Sequence, residues 1–464
     1  MSALTLRDVE VAGDRIDVRL AGGRIAAIGA RLPRGGDELD GRGGALLPGL
    51  ADHHVHLFAL AAQGDSIALD GARDAAEVSA RIEAAARARA PGAWVRATGY
   101  HERMAGDLDA ATLDLIAPRR RLRVQHQTGA LWVLNSAALT AVDAEHGPAS
   151  VERGADGRPT GRIWRGDAWL RERLGAEPPP LAPVGSQFAA YGVTQLTDAT
   201  VSTDTGAAAR LAQAHRTGEL PQRLMLMSGG ALQAPGDGAF AVGPVKVLLD
   251  DHALIELDDF TARIAGARRQ GRAVAVHCVT AAELALTLAA FEAAGAQAGD
   301  RIEHGGVIPA AAVGQIRALG LTVVTQSAFV AERGDRYLAE VDAAEQPDLY
   351  RCASLRSAGV PVAGSSDAPY AAPDPWAGMA AAVSRRTLGG AVLNAGERIG
   401  AAEALAMYLG APDSPGGPAR RVAVGAPADL CLLKAPLADA LAAPRAELVR
   451  ATLVEGRVIY DALT

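Results

Sequence analysis

Apolar and polar residues alternate in short stretches at both ends of the chain. Residues 4–11, 16–20 and 24–28 interleave or cluster apolar side chains, and Ala21-Gly22-Gly23 between the last two is a hairpin signal. The C-terminal end repeats the pattern at residues 428–433, 448–454 and 457–460, with Glu455-Gly456 as the turn between the last two. Residues 1–44 and 412–464 are therefore predicted to pair into one small β-sandwich. Between them, short β-rich runs alternate with helical stretches, the pattern of βα units around a parallel sheet. Eight runs end in polar residues: 45–54, 193–198, 223–228, 245–249, 273–277, 301–304, 321–325 and 361–366. They predict an α/β fold, a (β/α)8 TIM-type barrel built from residues 45–59 and 186–411. Residues 281–294 and 401–409 are clear helical fillers, rich in Ala, Leu and Glu and free of Gly and Pro inside. About 140 residues separate the first run from the second, far more than a short loop and a helix need. Residues 60–185 thus read as an insertion, with strand-like pieces at 93–98 and 121–126 and a proline-rich exit at Pro178-Pro179-Pro180. An insertion after the first barrel strand emerges at the catalytic end, which makes it a candidate lid and substrate domain.

Composition narrows the function. Hydrophobic residues are 49% of the 464 and mean hydropathy is +0.09, enough for a large core and unlike a disordered tail. With 46 basic against 53 acidic residues, a net charge of −7 and 4% aromatics, phosphate binding and base stacking are both disfavoured, so no nucleic acid partner is expected. No apolar run reaches the ~18 residues of a membrane helix, and the first residues lack a basic start followed by an apolar stretch. The expectation is a cytoplasmic protein without membrane contact that acts on a small molecule, with a homodimer left open. Cys278, Cys352 and Cys431 are odd in number and lack C-x-x-C spacing, so neither a disulfide framework nor a thiolate metal site is expected.

Any metal must then be held mainly by histidines and carboxylates. Only ten histidines occur, and three of them, His53, His54 and His56, fall within four positions. In Asp52-His53-His54-Val55-His56 the i, i+2, i+4 spacing directs Asp52, His54 and His56 to one side of a strand, whose end lets two imidazoles chelate one cation. His277 and His304 each finish a later apolar run, where barrels place catalytic residues. Asp367 stands in the equivalent place after the eighth run; on local grounds, Asp after Ser365-Ser366 fits a helix N-cap equally well. Lys246, inside an apolar run, is costly to bury as ammonium, and burial favours its neutral amine; pairing with Asp250 or Asp251, or snorkelling to the barrel end, is the other reading.

Taken in order, residues 48–56, His277, Arg301-Ile302-Glu303-His304, Gly364-Ser365-Ser366-Asp367 and residues 424–430 resemble the amidohydrolase superfamily of metal-dependent hydrolases. Residues 193–198, 244–250 and 132–139 are similar to its YtcJ-like branch, also labelled amidohydrolase 3. The resemblance implies a divalent metal centre of one or two ions: His54 and His56 on the first, His277 and His304 on the second, and Lys246 as a bridging carbamate. It implies Asp367 as ligand and general base, and hydrolysis of a non-peptide carbon–nitrogen bond (amide, formamide or cyclic amide) by metal-bound hydroxide. Zinc is the first expectation, with Mn, Fe and Co compatible. The chain departs from the branch at Gly129-Ala130, where Gly-His is usual, and at residues 277–281, so substrate identity is not carried over. His101 and Trp132 are the favoured substrate contacts in the insertion; Cys278 reads as a small buried hydrophobe, and the basic run 119–123 as a solvated face. Two other functions compete. A deaminase of the same superfamily usually has Glu three residues after the strand-five His, where this chain has Thr280. A non-catalytic metal-binding barrel would not need His54, His56, His277, His304 and Asp367 together.

Overall fold

The computed structural model describes residues 3–463 apart from 65, 91, 176–178 and 252, so Pro178 of the proline-rich exit lies outside the described residues. The chain divides into two compact units, Met1–Leu57 with Leu181–Thr464, and Phe58–Pro180.

In the larger unit an all-parallel sheet runs through β1 (Leu50–Val55), β2 (Val193–Asp198), β3 (Arg223–Ser228), β4 (Ala241–Val247), β5 (Val274–Cys278), β6 (Arg301–His304), β7 (Thr322–Thr325) and β8 (Val362–Gly364), each paired with the next in sequence. Every residue of β1, β2 and β6 is buried, as expected where side chains fill the inside of a barrel and helices cover its outside. That is why these runs lack the period-2 alternation of the terminal strands. The seam between β8 and β1 is bridged just past the strand ends: the Asp367 N–H donates to His54 O and the His56 N–H to Ala368 O, both at 2.9 Å. This seam carries Asp367 to the two histidines of β1.

The apolar run 45–54 is not one strand. Leu46–Pro48 pairs antiparallel with Leu430–Leu433, in a sheet with Val449–Val454 and Arg457–Asp461, while Leu50–Val55 belongs to the barrel. The chain changes sheets at Gly49, where a Cβ would stand 2.1 Å from Thr194 Cγ2. Leu4–Val11, Asp14–Ala21, Arg24–Gly29 and Asp37–Asp40 make the second terminal sheet. Leu6, Val18 and Ile25 share a core with Leu430, Leu432 and Leu453, so N- and C-terminal segments form one small β-sandwich.

The Phe58–Pro180 unit holds a six-stranded sheet of Val151–Arg153, Pro159–Trp164, Leu131–Leu134, Arg121–His126, Trp94–Tyr100 and Ile67–Ala68, in that order. Val78, Ile82 and Ala86 of the helix Ala75–Ala88 recur at helical spacing and pack on Val95, Leu122, Val124 and Val133. Its first turn is closed by Asp74, whose carboxylate accepts the Glu77 N–H. Tyr100, His126, Trp132 and Trp164 all lie on strands of this sheet. β-branched and aromatic neighbours pair well across such a surface, which makes an aromatic in a short run a strand signal. Among the described residues, no helix is long and apolar enough to cross a membrane.

Candidate active site

His54 and His56 lie at and just past the end of β1. The intervening Val55 faces the opposite side, so the two imidazoles converge, with ring centroids 5.3 Å apart. Asp367 closes the group from the seam: its Oδ1 is 3.4 Å from His54 Nε2 and 3.2 Å from His56 Nε2, and its Oδ2 is 3.7 Å from His304 Nδ1. The His304 ring is 4.8 Å from His54 and 4.5 Å from His277, centroid to centroid. Both His304 and Asp367 adopt left-handed backbone conformations, with φ of 70° and 56°. Such conformations cost a non-glycine residue on the order of 1 kcal/mol or more. They occur where strands end and a side chain must be turned into the barrel mouth.

Lys246 on β4 is 4% exposed, and its Nζ has no hydrogen-bond partner. Burial pushes its ammonium down, opposed by the carboxylates of Glu303 and Asp367. Burial also pushes His54 down to about 3, and lowers His277 and His304, with neighbouring cationic groups adding to it. Imidazoles so placed are neutral at pH 7, the form that ligates metals. Burial alone would raise Asp367, but the facing His304, His56 and His54 outweigh it and hold the carboxyl below its ordinary range.

These residues fit a divalent cation. His54 Nε2, Lys246 Nζ and Asp367 Oδ1 are buried polar atoms without hydrogen-bond partners, a costly arrangement in a dry interior unless something charged satisfies them. Ligand atoms of His54, His56 and Asp367 all lie within 4.8 Å of one another, while His277 and His304 stand beside that trio.

Supporting residues that the sequence reading passed over are equally well defined. Glu303 is fully buried; one carboxylate oxygen pairs with His54 Nδ1 and the other with Arg301 Nε. Arg301 donates also to His53 O at 2.7 Å. The signal was present in Arg301-Ile302-Glu303-His304, where two charged residues at strand spacing both point inward from a wholly buried strand. Gln326 Oε1 sits 2.9 Å from His304 Nδ1, and Thr200 Oγ1 3.0 Å from His56 Nδ1. Asp52 shares the spacing of His54 and His56 but serves the backbone: it accepts N–H groups of His54 and Ser366 at 3.1 Å and the Ser366 hydroxyl, tying β1 to the connection after β8. All three cysteines are buried and free; Cys278 Sγ lies 3.2 Å from Thr287 Oγ1. Among the residues expected to touch substrate, Trp132 is 4% exposed and donates its Nε1–H to Asp167 at 2.8 Å, and His101 precedes the short helix Glu102–Ala105.

Known proteins can be set beside this geometry. A family model described as the amidohydrolase family matches residues 37–460. The chain belongs to the amidohydrolase family. As an amidohydrolase it is an enzyme acting on carbon–nitrogen bonds other than peptide bonds. Among curated proteins, it is 26% identical over 514 residues to an N-substituted formamide deformylase of Arthrobacter pascens, across 96% of this chain and 94% of that one. Among solved structures, the amidohydrolase resembles an uncharacterized metal-dependent hydrolase from Pyrococcus horikoshii, with TM-score 0.72, 18% identity, and 99% and 100% of the two chains covered. It also resembles N-isopropylammelide isopropylaminohydrolase from Burkholderia multivorans, with TM-score 0.55, 22% identity and 99% of each chain covered. Both likenesses are of fold.

Proposed function

We propose that this amidohydrolase uses a divalent metal centre at the barrel mouth to hydrolyse a small amide, with N-substituted formamides first among the candidates and other linear or cyclic amides next. The observation that carries this reading is the convergence of His54, His56 and Asp367, with His277, His304 and Lys246 beside them, around buried polar atoms that have no hydrogen-bond partner among the described residues. The likeness to the formamide deformylase along almost its entire length supports the choice of substrate class. His54 and His56 would hold one ion and His277 and His304 a second, with zinc the first candidate for a set of imidazoles and carboxylate. Lys246, whose burial favours the neutral amine, would add to carbon dioxide with loss of a proton and supply an anionic carbamate oxygen as a further ligand. Bound there, such an ion lowers the pKa of water towards 7 and polarises a carbonyl.

The chain's own groups do the rest. Glu303 accepts a hydrogen bond from His54 Nδ1–H and so leaves the Nε2 lone pair to face an ion; Gln326 Oε1 does the same for His304. Asp367, ionised and facing His54 and His56, is placed to take a proton from the attacking water and pass it to the departing nitrogen, which cannot leave as an amide anion. Thr280 supports amide hydrolysis over deamination: its side chain accepts the Glu283 N–H in a capping box at the head of the helix Ala281–Ala294, a structural duty in place of a ring-protonating carboxylate.

The test is a turnover screen of metal-loaded protein on N-substituted formamides, N-acyl amino acids and cyclic amides, with aminopurines as the deaminase arm. Amide turnover that His54→Ala abolishes in a folded chain is the expected result. Turnover of aminopurines alone, or none after reconstitution with zinc or manganese, would sink the proposal. Intact mass of metal-loaded protein reads Lys246 separately, as a gain of one carbon dioxide that Lys246→Arg lacks.

A further inference from the structure

The Phe58–Pro180 unit carries a second group of metal-ligating side chains, His101, Glu102 and His126, whose ligand atoms lie within 4.8 Å of one another. Two adjacent strands of its sheet supply them: His126 ends Arg121–His126, and His101-Glu102 immediately follows Trp94–Tyr100. A single carboxylate oxygen, Glu102 Oε2, faces both rings, 3.2 Å from His126 Nε2 and 3.5 Å from His101 Nδ1. His101 Nδ1 accepts the Arg103 N–H at 3.1 Å, so that nitrogen bears a lone pair and no proton. An ion bound at Nδ1 would take that lone pair in place of the Arg103 N–H, with the anionic Glu102 Oε2, 3.5 Å away, as a neighbouring ligand.

We propose that His101, Glu102 and His126, all from the Phe58–Pro180 unit, form a binding site for a divalent transition-metal ion of the zinc class. For metal–ligand bonds of 2.0–2.1 Å, neighbouring ligands of a tetrahedral ion are about 3.4 Å apart. The two distances made by Glu102 Oε2 bracket that edge, so these contacts need little adjustment to receive an ion. Two imidazoles and one carboxylate make the donor set suited to zinc and unsuited to magnesium or calcium, which take oxygen ligands. The ring is also held in place: His126 Nδ1 is 2.8 Å from Thr128 Oγ1 and accepts the Thr128 N–H at 3.3 Å, which leaves Nε2 turned towards Glu102. The side chains of His101 and His126 are 18% and 12% exposed and that of Glu102 is 42% exposed, which leaves the fourth position open to water or to a ligand atom from outside. The sequence marked His101 as a substrate contact; its surroundings support a ligand's role.

Full-length protein stripped by chelation and titrated with zinc, and with cobalt as a spectroscopic probe, tests this. Bound metal is counted per chain in wild type, in His101→Ala/His126→Ala and in His54→Ala/His56→Ala. The expected result is that the insertion variant binds one equivalent fewer than wild type, and that the barrel variant retains that equivalent with a cobalt spectrum of two nitrogens and oxygens. Wild-type stoichiometry and spectrum in a folded insertion variant would overturn the proposal, as would loss of all metal in a folded barrel variant. If the double alanine variant fails to fold, Glu102→Gln, of equal size and half exposed, reads the same site: zinc affinity there falls at least tenfold if Glu102 is a ligand and is unchanged if it is not.

Discussion

Replacing Glu303 by glutamine changes one atom and removes one charge at a fully buried position. In the native protein its two carboxylate oxygens serve Arg301 and His54, and Arg301 is itself only 1% exposed. The variant leaves that guanidinium buried with the His53 carbonyl, 2.7 Å away, as its remaining strong acceptor. Breaking a buried ion pair from one side typically costs about 3–5 kcal/mol; the surviving His53 contact places the expected loss near the lower end, about 3 kcal/mol. A glutamine amide also holds the His54 ring less firmly and makes it less basic, and loss of such a partner typically lowers metal affinity about 10–100-fold. Urea denaturation of metal-free protein reads the first effect, and competition titration against a chromophoric chelator reads the second. Arg301→Met/Glu303→Leu separates them: it removes both charges, so stability returns towards wild type while metal affinity stays low. A Glu303→Gln protein with a wild-type urea midpoint and an affinity within about twofold of wild type would refute the reasoning, because neither the pair nor the positioning of His54 would then matter.

Trp376 is fully buried and donates its Nε1–H to Tyr191 O at 3.0 Å, so Trp376→Ala should cost about 3–5 kcal/mol in urea unfolding; a loss below ~1 kcal/mol would contradict its place in the core. A Cβ on Gly44 would lie 1.9 Å from the Leu433 backbone oxygen, so Gly44→Ala should separate strands of the terminal sandwich and lower the melting temperature, whereas Gly230→Ala, with nothing within 4 Å, should not. Burial pushes His53 down to about 3, with Arg301 and Arg420 adding to it. Its folded pKa therefore lies below its unfolded value of 6.5, so the unfolded chain binds the extra proton and stability falls as pH drops from 6.5 towards 3, by about 1.4 kcal/mol per unit for this one group. Urea midpoints of wild type and His53→Asn between pH 7 and 5 should show a shallower slope in the variant, and equal slopes would count against the assignment.

The strand ends whose side chains the barrel brings together were the most legible part of the chain. His54, His56, His277, His304 and Asp367 each terminate an apolar run, and a buried parallel strand shows itself as such a run. The break at Gly49 was hidden for the same reason: residues 45–54 are apolar on both sides of it, and periodicity cannot tell one buried strand from two that belong to different sheets. Glu303 and Arg301 went unassigned because two opposite charges in a four-residue strand become meaningful only when His54, 249 positions away, is seen to share the Glu303 carboxylate with Arg301. The sheet of the Phe58–Pro180 unit was partly visible at residues 93–98 and 121–126, but Ile67–Ala68 and Val151–Arg153 are two and three residues long, below the length at which alternation is informative. His126 lacked a sequence signal of its own, since its nearness to His101 arises from pairing of Tyr100 with His126 across strands.

Amine release from a panel of N-substituted formamides reads whether the residues at the barrel mouth make a metal-dependent hydrolase of carbon–nitrogen bonds. Turnover should vanish on chelation, return when zinc or another divalent transition metal is added back, and remain absent in His54→Ala under every condition. Turnover that is indifferent to chelation, or that persists at the wild-type rate in His54→Ala, would contradict the account.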